Sequence, residues 1–566
     1  MSSIRRLWDH FAVWTLFVVI GAPLAFAQVQ VDSATPGAAP QGTVNLNVTI
    51  SGKGFKSGAK VQWFVTGTTN PGGVTVNSVK VQGATALTAN INVAVDAILG
   101  GYDIVVTNTD GRTGKGTDRF AVSLKGTPVG CSTTGTPSGL TLVTQLNPVQ
   151  PNGAALIGTL GLGNAIRVRP VDLNHDGTID SLVVFVTSGT ISGASASTYA
   201  FLLDPATGQL QPVNPVSGAT WSNPQLLLTG VRAILADAGD VNGDGIPDFA
   251  MAISADSSTY LFVGAVNPST FNLSYTPYHI QAPANVPASW GIAIALGDLD
   301  GDGKDEIAIG ATPGKKGSNI PAVYIFRYVS GSLSLWQTIQ GPTGAGGFGS
   351  AIAIGNIDGG TGNDLAIGAP GANTSGAVYV FPAPLQQSSL FTVTGPGPGF
   401  GRGLGIADIN LDGNPDLLVI AGDQFNGSDT TAQAFVFPGN VHAGSSYTND
   451  LLPAPGLAYS WASPNLDLAD IGSSGAIIVG TPNANNPGNG SSCTIYVGAA
   501  HLFTSPFAAT ANPNYVLEPP VITADGMDYG YGVAVVPGSP FIVVGAKLAN
   551  VGTTKNAGQV YVYKKN

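Results

Sequence analysis

The chain has 566 residues, of which 43% are hydrophobic and only 10% charged, so it can bury a large core and global disorder is excluded. Its net charge of −11 disfavours nucleic acid and anionic membranes as partners. Of its 33 acidic residues only Glu306 and Glu518 are glutamate, and this excess of turn-forming aspartate over helix-forming glutamate excludes a mainly helical fold.

Residues 1–27 have the pattern of a secretory signal peptide. Arg5 and Arg6 form a positively charged start, an apolar stretch runs from Phe11 to Ile20, and a small-residue cleavage signal precedes Gln28. An uncleaved membrane anchor is the alternative, but the apolar stretch is shorter than the roughly 20 residues that a spanning helix needs. We therefore expect an exported chain with no membrane span after cleavage, located outside the cell, on its surface or in a periplasm.

Two cysteines remain after cleavage, Cys131 and Cys493. Their separation does not match the spacing of metal ligands, and an oxidising compartment would permit a disulfide between them. The sequence leaves open whether their Cα atoms come close enough for that bond.

Residues 28–123 alternate apolar and polar residues in short runs separated by turns, which predicts a β-sandwich of about seven strands. The clearest runs are 44–50, 60–65 and 102–107. The stretches 52–59 and 101–108 resemble bacterial Ig-like domains of the IPT/TIG type, and this resemblance implies a spacer or binding module. Residues 124–138 are rich in Gly, Thr, Ser and Pro and are interpreted as a linker.

Residues 139–566 consist of repeated units. Each unit has an aromatic residue followed by glycine, an apolar strand, an Asp-rich loop, a second apolar strand ending near Gly-Ala, a variable loop and a third strand. We recognise seven units of about 61 residues, a length that suits four strands and their loops. The units lie around Asp172, Asp240, Trp290, Phe348, Phe400, Asp470 and Tyr529.

Four-stranded units in tandem predict a β-propeller, with an open solenoid as the alternative. The last unit ends at its third strand, 559–564, whereas a strand-like segment, 140–146, stands unattached before the first unit. We infer that residues 140–146 supply the outer strand of the last sheet and so close a ring. The predicted fold class is all-β, a seven-bladed β-propeller over 139–566 preceded by a small Ig-like β-sandwich.

Four of the Asp-rich loops share the spacing Asp-x-Asn/Asp-x-Asp-Gly-x-x-Asp/Glu. Side-chain oxygens recur at positions 1, 3, 5 and 9, the carbonyl of position 7 can join them, and glycine at position 6 permits a tight bend. Oxygen ligands without Cys or His favour Ca²⁺ over zinc or copper, and Mg²⁺ is disfavoured because it prefers to retain water. The predicted ligands are Asp172, Asn174, Asp176, Thr178, Asp180, Asp240, Asn242, Asp244, Ile246, Asp248, Asp298, Asp300, Asp302, Lys304, Glu306, Asp408, Asn410, Asp412, Asn414 and Asp416.

Solvated turns are the alternative interpretation of these loops, since Asp-Gly and Asn-Gly are ordinary turn sequences. Because the spacing recurs four times between apolar strands, it favours about four calcium sites. A fifth loop keeps oxygens at positions 1, 3 and 9, from Asn356, Asp358 and Asp364, but has Gly360 at position 5 and is a degenerate site. The last two units lack the set.

The loop, the Gly-Ala that follows it and the aromatic-Gly that precedes it resemble the FG-GAP/VCBS repeat, found in the propeller of integrin α subunits and in bacterial repeat proteins. The resemblance covers 139–566. It implies a seven-bladed propeller with structural Ca²⁺ on one face and partner binding on the opposite face. The unit at Asp172 lacks the Gly-Ala ending, and no integrin leg domains are evident, so the resemblance alone does not imply adhesion.

The sequence contains no recognisable catalytic motif. His175 lies inside one of the Asp-rich loops and is interpreted as solvent-facing. His279, His442 and His501 are isolated, and we interpret them as surface or satisfied inter-strand residues. The glycine-rich run 399–405 precedes a strand rather than a helix, so it is not a nucleotide loop. A lyase or hydrolase site that uses the clustered acids is the alternative.

Aromatic residues at equivalent positions of the units are predicted to be buried between blades rather than to stack on sugars. They are Trp290, Phe348, Phe400, Tyr459, Trp461 and Tyr529. The predicted contact surface consists of the variable loops 311–322, 422–433, 481–492 and 547–557. The sequence thus predicts a monomeric, calcium-binding adhesion or binding module for an extracellular protein or glycan. A secreted carbohydrate-active enzyme and a structural surface-layer component are the alternatives.

Overall fold

The structure is a computed structural model that describes the chain from residue 29 onwards with internal gaps. The described residues are 29–66, 68–94, 97–98, 100–123, 136–147, 161–188, 197–211, 213–219, 225–229, 235–253, 258–283, 286, 289–312, 320–386, 390–422, 433–451, 466–471, 474–482, 498–508, 510–520, 527–551 and 556–566. The predicted signal peptide, Cys131, Cys493 and most of the predicted linker lie outside these residues.

The described residues form 37 β-strands, which confirms the predicted all-β fold. Within the described part of the chain, no helix has the length and hydropathy required to cross a membrane. Strand-forming residues and turn residues alternate along the chain as the composition indicates, because β-branched residues pack well on a pleated surface whereas Gly, Asn and Asp favour turns.

Residues 30–123 form two four-stranded sheets that pack on each other. One sheet has the strand order β1-β3-β6-β5 and the other β2-β8-β7-β4. Both contribute to one core, which includes Ile50, Trp63, Ile91, Tyr102 and Phe120. The strands are β1 (Gln30–Thr35), β2 (Ala38–Pro40), β3 (Leu46–Lys53), β4 (Lys60–Val65), β5 (Val74–Val81), β6 (Ala86–Val93), β7 (Gly100–Thr107) and β8 (Thr113–Ser123).

Residues 140–566 form seven further sheets, numbered 1 to 7 in chain order, and each corresponds to one of the predicted units. Sheets 1 to 3 comprise β10 (Leu162–Val171), β11 (Ser181–Ser188), β12 (Ser197–Leu203) and β13 (Gln225–Thr229); β14 (Leu235–Gly239), β15 (Asp248–Ile253), β16 (Ser258–Val266) and β17 (Leu273–Gln281); β18 (Ser289–Gly297), β19 (Glu306–Thr312), β20 (Ala322–Val329) and β21 (Ser332–Gln340). Each of these sheets is antiparallel with its strands in chain order.

Sheets 4 to 7 repeat the arrangement, with one strand from elsewhere in the chain added to sheet 5 and one to sheet 7. They comprise β22 (Ala351–Gly355), β23 (Asp364–Ala369), β24 (Ala377–Phe381) and β25 (Phe391–Val393); β26 (Gly403–Ala407), β27 (Asp416–Ala421), β28 (Gln433–Phe437), β29 (Asn449–Leu451) and β33 (Thr510–Ala511); β30 (Leu466–Ile471), β31 (Ser474–Thr481), β32 (Ala499–Thr504) and β34 (Tyr515–Leu517); β35 (Tyr529–Val535), β36 (Phe541–Ala546), β37 (Gln559–Lys565) and β9 (Leu140–Leu146).

The apolar patterns of the strands follow from their place in each sheet. Second strands such as β11, β23 and β36 are buried along their whole length, because a neighbouring sheet covers each face. Outer strands such as β17 and β21 include many exposed residues instead. The core is therefore divided among clusters that lie between consecutive sheets.

The seven sheets form a closed ring. The first strand of each sheet contacts the first strand of the next, and β35 of sheet 7 contacts β10 of sheet 1 in the same way. The predicted closing strand is present, since β9 pairs antiparallel with β37, with Leu146 opposite Val560. Leu146 is buried in a cluster that combines sheets 7 and 1.

A recurrent glycine contact joins consecutive sheets and explains the aromatic-Gly and Gly-Ala pairs of the sequence. A Cβ atom added to Gly310 of sheet 3 would overlap the carbonyl oxygen of Gly349 of sheet 4. Gly368 and Gly401 form the equivalent contact between sheets 4 and 5. At this point two backbones approach too closely for any side chain to fit.

Candidate metal centre

Five loops connect the first strand of a sheet to the second in sheets 1 to 5. We number them loops 1 to 5, and they comprise residues 172–180, 240–248, 298–306, 356–364 and 408–416. Neighbouring loops bond to each other: Asp305 Oδ2 accepts the N–H of Asp240 at 2.7 Å, and Asn363 Nδ2 donates to the carbonyl of Asp298 at 2.9 Å. These bonds place loops 2, 3 and 4 side by side on one face of the ring.

The carboxylate at position 9 fixes the base of every loop. One of its oxygens accepts the backbone N–H of position 2 at 2.8–3.1 Å. The position-2 side chain is apolar and buried in all five loops, so the sheet core anchors the same backbone segment. The position-9 residues are Asp180, Asp248, Glu306, Asp364 and Asp416, and the position-2 residues are Leu173, Val241, Leu299, Ile357 and Ile409.

Loops 1, 2, 3 and 5 have the same backbone bend. Positions 4 and 6 of each adopt a positive φ, and at position 6 the residue is always glycine, with φ between 78° and 91°. Position 4 is glycine in loops 2 and 3, but His175 and Leu411 adopt φ of 57° and 62° in the other two. A left-handed leucine is sterically costly, so the rest of the loop must hold this bend.

The side chains at positions 1, 3 and 5 turn inwards over this bend. In loop 2, Asp240 Oδ2 accepts the N–H of Gly245 at 2.7 Å, Asn242 Oδ1 that of Asp244 at 2.8 Å, and Asp244 Oδ1 that of Ile246 at 2.8 Å. Loops 1, 3 and 5 have the equivalent three bonds. In all four loops the side-chain oxygens at positions 1, 3 and 5 therefore bond to backbone N–H groups of the same loop in the same pattern.

Burial makes the position-9 carboxylates electrostatically costly. Desolvation raises the pKa of Asp248 to about 8, and the nearby carboxylates of Asp240 and Asp244 add to the rise. Desolvation likewise raises the pKa of Glu306 to about 7 and that of Asp416 to about 6. A cation held among these oxygens would offset both the desolvation and the mutual repulsion.

Loop 3 brings three carboxylates close together. Oxygen atoms of Asp298, Asp300 and Glu306 lie within 4.8 Å of one another, and these residues form the one such acidic group among the described residues. Loops 1, 2 and 5 have Asn at position 3, whose amide oxygen is also a ligand that Ca²⁺ accepts. The four loops thus share a tight bend and a set of side-chain oxygens that could hold a divalent cation.

Loop 4 is built differently. Asn356 Nδ2 donates to the carbonyl of Gly360 at 2.7 Å, so the amide bonds across the loop at the place where the other loops have a position-5 carboxylate. Its left-handed residues are Gly359 and Gly362, at positions 4 and 7 rather than 4 and 6. The change at position 5 thus alters both the donor set and the bend.

Sheets 6 and 7 have no room for such a loop between their first two strands. In sheet 6, Ile471 pairs with Ser474, which leaves only two residues in the connection. In sheet 7, the N–H of Val536 donates to the carbonyl of Phe541 at 3.1 Å and closes a short turn. In both sheets the connection is therefore too short for a nine-residue loop.

Several other sequence predictions can be located in the structure. Trp290, Phe348, Phe400 and Tyr529 are fully buried, as predicted for blade-entrance aromatics, whereas Tyr459 and Trp461 lie outside the described residues. His501 is buried between strands, with Nε2 3.1 Å from Thr481 Oγ1. His175, His279 and His442 are exposed. Much of the predicted contact surface lies outside the described residues.

One residue that contacts loop 3 was not predicted from the sequence. Arg327, on β20, bonds to both Asp300 and Glu306 of loop 3. The signal that could have revealed it is that, among loops 1, 2, 3 and 5, loop 3 alone has Asp at position 3 and Glu at position 9. The partner itself could not be found in this way, because Arg327 is distant along the chain.

Comparison with known proteins agrees with the repeat pattern. The family model described as FG-GAP-like repeat matches residues 240–309, which contain loops 2 and 3. Integrin alpha-IIb of Mus musculus is 30% identical over 218 residues, which is 35% of this chain and 20% of that protein. Integrin alpha-5 of Xenopus laevis is 29% identical over 230 residues, 37% of this chain and 21% of that protein. The predicted resemblance to FG-GAP repeats and integrin alpha chains is confirmed.

These matches are partial. The chain spans about a fifth of the length of the curated relatives it matches. Among solved structures, one titled "Structure of Dos1 propeller" covers 75% of this chain and 96% of its own, with 13% sequence identity and a TM-score of 0.37. A TM-score of this size is too low to support a structural argument.

Proposed function

We propose that the protein is an exported, calcium-stabilised binding module, and that its ring is a seven-bladed β-propeller preceded by an Ig-like β-sandwich. The observation that carries the calcium assignment is the common geometry of loops 1, 2, 3 and 5. Four separate sequences adopt one bend, with oxygens at positions 1, 3 and 5 turned inwards and a position-9 carboxylate that is buried in loops 2, 3 and 5 and half-buried in loop 1. Turns that are merely solvated would have no reason to share one geometry in four different sequences.

The calcium ions would be structural. Each would neutralise the carboxylates of one loop and so tie the first two strands of a sheet together. Ca²⁺ would be held by the side chains at positions 1, 3, 5 and 9, with the carbonyls of Thr178, Ile246, Lys304 and Asn414 at position 7. Loop 4 would bind weakly or not at all, since its amide bonds across the loop.

The binding role is proposed from the similarity to integrin alpha chains and from the rigid ring. The partner would be an extracellular protein or a glycan, bound by the monomeric chain without catalytic turnover. A rigid scaffold with variable loops is the usual setting for such recognition. The face opposite loops 1 to 5, formed by the connections between second and third strands, is the proposed contact surface.

Thermal melting tests the calcium role directly. A ligand that binds only the folded state stabilises it by about 2.7 kcal/mol per site when its free concentration is a hundredfold above Kd. We expect the melting temperature of the mature chain to rise in calcium, to fall in chelator and to respond much less to magnesium. The combined variant Asp172→Asn, Asp240→Asn, Asp298→Asn and Asp408→Asn should lose most of this response, whereas Asp32→Asn, an exposed control, should keep it. Equal melting temperatures in calcium and chelator would refute the assignment.

The binding role needs a separate experiment. The mature chain should be screened in calcium against arrays of glycans and extracellular proteins, and each hit should then be assayed for products. We expect saturable binding that survives prolonged incubation without release of product. Sugar release from a bound polysaccharide would instead establish the carbohydrate-active enzyme.

A further inference from the structure

An arginine is built into loop 3. Nε of Arg327 lies 3.2 Å from Glu306 Oε1, and Nη2 bonds to Asp300 Oδ2. The guanidinium carbon lies 3.6 Å from the centre of the Trp336 ring, so stacking holds the group from its other side. Two carboxylates and an aromatic ring therefore fix one positive charge inside the acidic group of this loop.

In other sheets a backbone N–H, rather than a side chain, bonds to the second oxygen of the position-9 carboxylate. The second oxygen of the position-9 carboxylate accepts a backbone N–H from within or just beyond the third strand, at 2.7 Å from Gly264, 3.0 Å from Ala383 and 3.0 Å from Gly439. Each donor lies two residues after a phenylalanine paired with the second strand. In sheet 3 that phenylalanine is Phe326, and the side chain of the next residue, Arg327, is the donor instead.

The residues equivalent to Arg327 in sheets 2, 4 and 5 are uncharged, so they cannot form an ion pair with the loop carboxylates. They are Val263 in sheet 2, Pro382 in sheet 4 and Pro438 in sheet 5. Loop 3 is also the loop with a fourth acid at positions 1, 3, 5 and 9, because Asp300 replaces the Asn of loops 1, 2 and 5. The additional negative charge and the additional positive charge occur in the same sheet and are bonded to each other.

We propose that Arg327 is an internal cation of loop 3, which competes with Ca²⁺ for the oxygens of Asp300 and Glu306. The inference rests on the proposed calcium role of the loops. The guanidinium uses oxygens from two of the three carboxylates that converge in this loop, and it repels an incoming divalent ion. Loop 3 therefore keeps its fold at low calcium and binds Ca²⁺ more weakly than loops 1, 2 and 5.

The test compares Arg327→Met with wild type, using the full mature chain. Methionine keeps an unbranched side chain against Trp336 but removes the charge. The matched control is Arg119→Met, which makes the same change at an exposed arginine of β8. Calorimetric titration gives the number and affinity of calcium sites, and melting is measured in chelator and in calcium.

We expect Arg327→Met to melt below wild type in chelator, because four acids then lack their counter-charge. In calcium the variant should recover, and one site should bind Ca²⁺ at least tenfold more tightly than the weakest site of wild type. Adding Asp298→Asn should abolish that gain and so place it in loop 3. Arg119→Met should match wild type throughout.

The outcomes separate this inference from the calcium assignment. If wild type binds calcium but Arg327→Met melts lower by the same amount in both buffers, with unchanged affinities, Arg327 is only a structural contact and the inference fails alone. If neither protein binds calcium, both proposals fail.

If Arg327→Met does not fold, Arg327→Lys replaces it, since an ammonium group cannot reproduce the two-pronged contact. An affinity gain of threefold or more in that variant supports the inference, and an unchanged affinity overturns it.

Discussion

At the scale of single residues, burial rather than identity decides what the ionisable groups do. His501 and His279 are both strand histidines, but His501 is fully buried whereas His279 is exposed and packs against the ring of Tyr260. Burial lowers the pKa of His501 from its ordinary 6.5 to about 3, because the charged form cannot be solvated there. The sequence correctly indicated an inter-strand histidine, but its burial became visible only once β32 had a neighbour on each face.

The shifted pKa of His501 predicts a pH dependence. The unfolded chain binds a proton at this histidine near pH 6.5 and the folded chain only near pH 3, so stability is lost as pH falls through that window. We expect the melting temperature of wild type to fall more steeply between pH 7 and pH 4.5 than that of His501→Gln, which cannot titrate.

The exposed His279 provides the control for this experiment. His279→Gln should match wild type, since it leaves the buried imidazole of His501 in place. Parallel profiles for wild type and His501→Gln would show that the buried imidazole contributes nothing to acid sensitivity.

At the scale of elements, the repeat motif describes contacts between sheets as well as loops within them. The glycine of the aromatic-Gly pair adopts a left-handed backbone, with φ of 85° at Gly349 and 90° at Gly401. Its carbonyl faces a second-strand glycine of the preceding sheet at a separation that excludes a Cβ atom. Two glycines that look like turn signals in the sequence are thus the points at which sheets meet.

Gly310→Ala tests this contact. The added methyl group would overlap the Gly349 carbonyl, and because that oxygen is a backbone atom and a Cβ has no rotamer to change, relief requires sheets 3 and 4 to move apart. We expect a loss of about 1–3 kcal/mol, typical of overpacking a tight core, measured as a lower melting temperature in calcium.

Gly397→Ala is the matched control in the same ring. A Cβ atom there meets nothing within 4 Å, and its backbone is not left-handed, so its effect should stay within about 0.5 kcal/mol. Equal effects of the two substitutions would mean that the sheets are not in close contact at Gly310.

At the scale of the whole molecule, the ring closes with the contacts that hold its other sheets together. Leu162 bridges to Gly558 as Phe400 bridges to Gly376 and Tyr529 to Gly498. A Cβ atom on Gly545 of sheet 7 would meet the carbonyl oxygen of Gly163 in sheet 1, as at the other joints. Leu162-Gly163 therefore takes the place of an aromatic-Gly pair in the first unit.

Closure also depends on β9, which predicts different outcomes for two truncated chains. A chain of residues 136–566 keeps β9, whereas a chain of residues 148–566 exposes the edge of β37 and loses Leu140 and Leu146 from the core. Removing buried leucine side chains costs about 2–5 kcal/mol each, so the shorter chain should melt at least about 5 °C below the longer one. Similar melting temperatures would show that β9 does not stabilise the ring.

The sequence by itself determined the all-β class, the seven repeated units, the loop residues and the closing strand 140–146. Each of these features can be recognised from local residue spacing and composition. Tertiary structure decided which glycines touch, that His501 is buried, and that Asp305 and Asn363 tie neighbouring loops together. It also brought Arg327 to Asp300, 27 positions away in the chain. The physical reason is that hydrogen bonding and turn preference act between near neighbours, whereas burial and charge pairing depend on which sheet lies alongside.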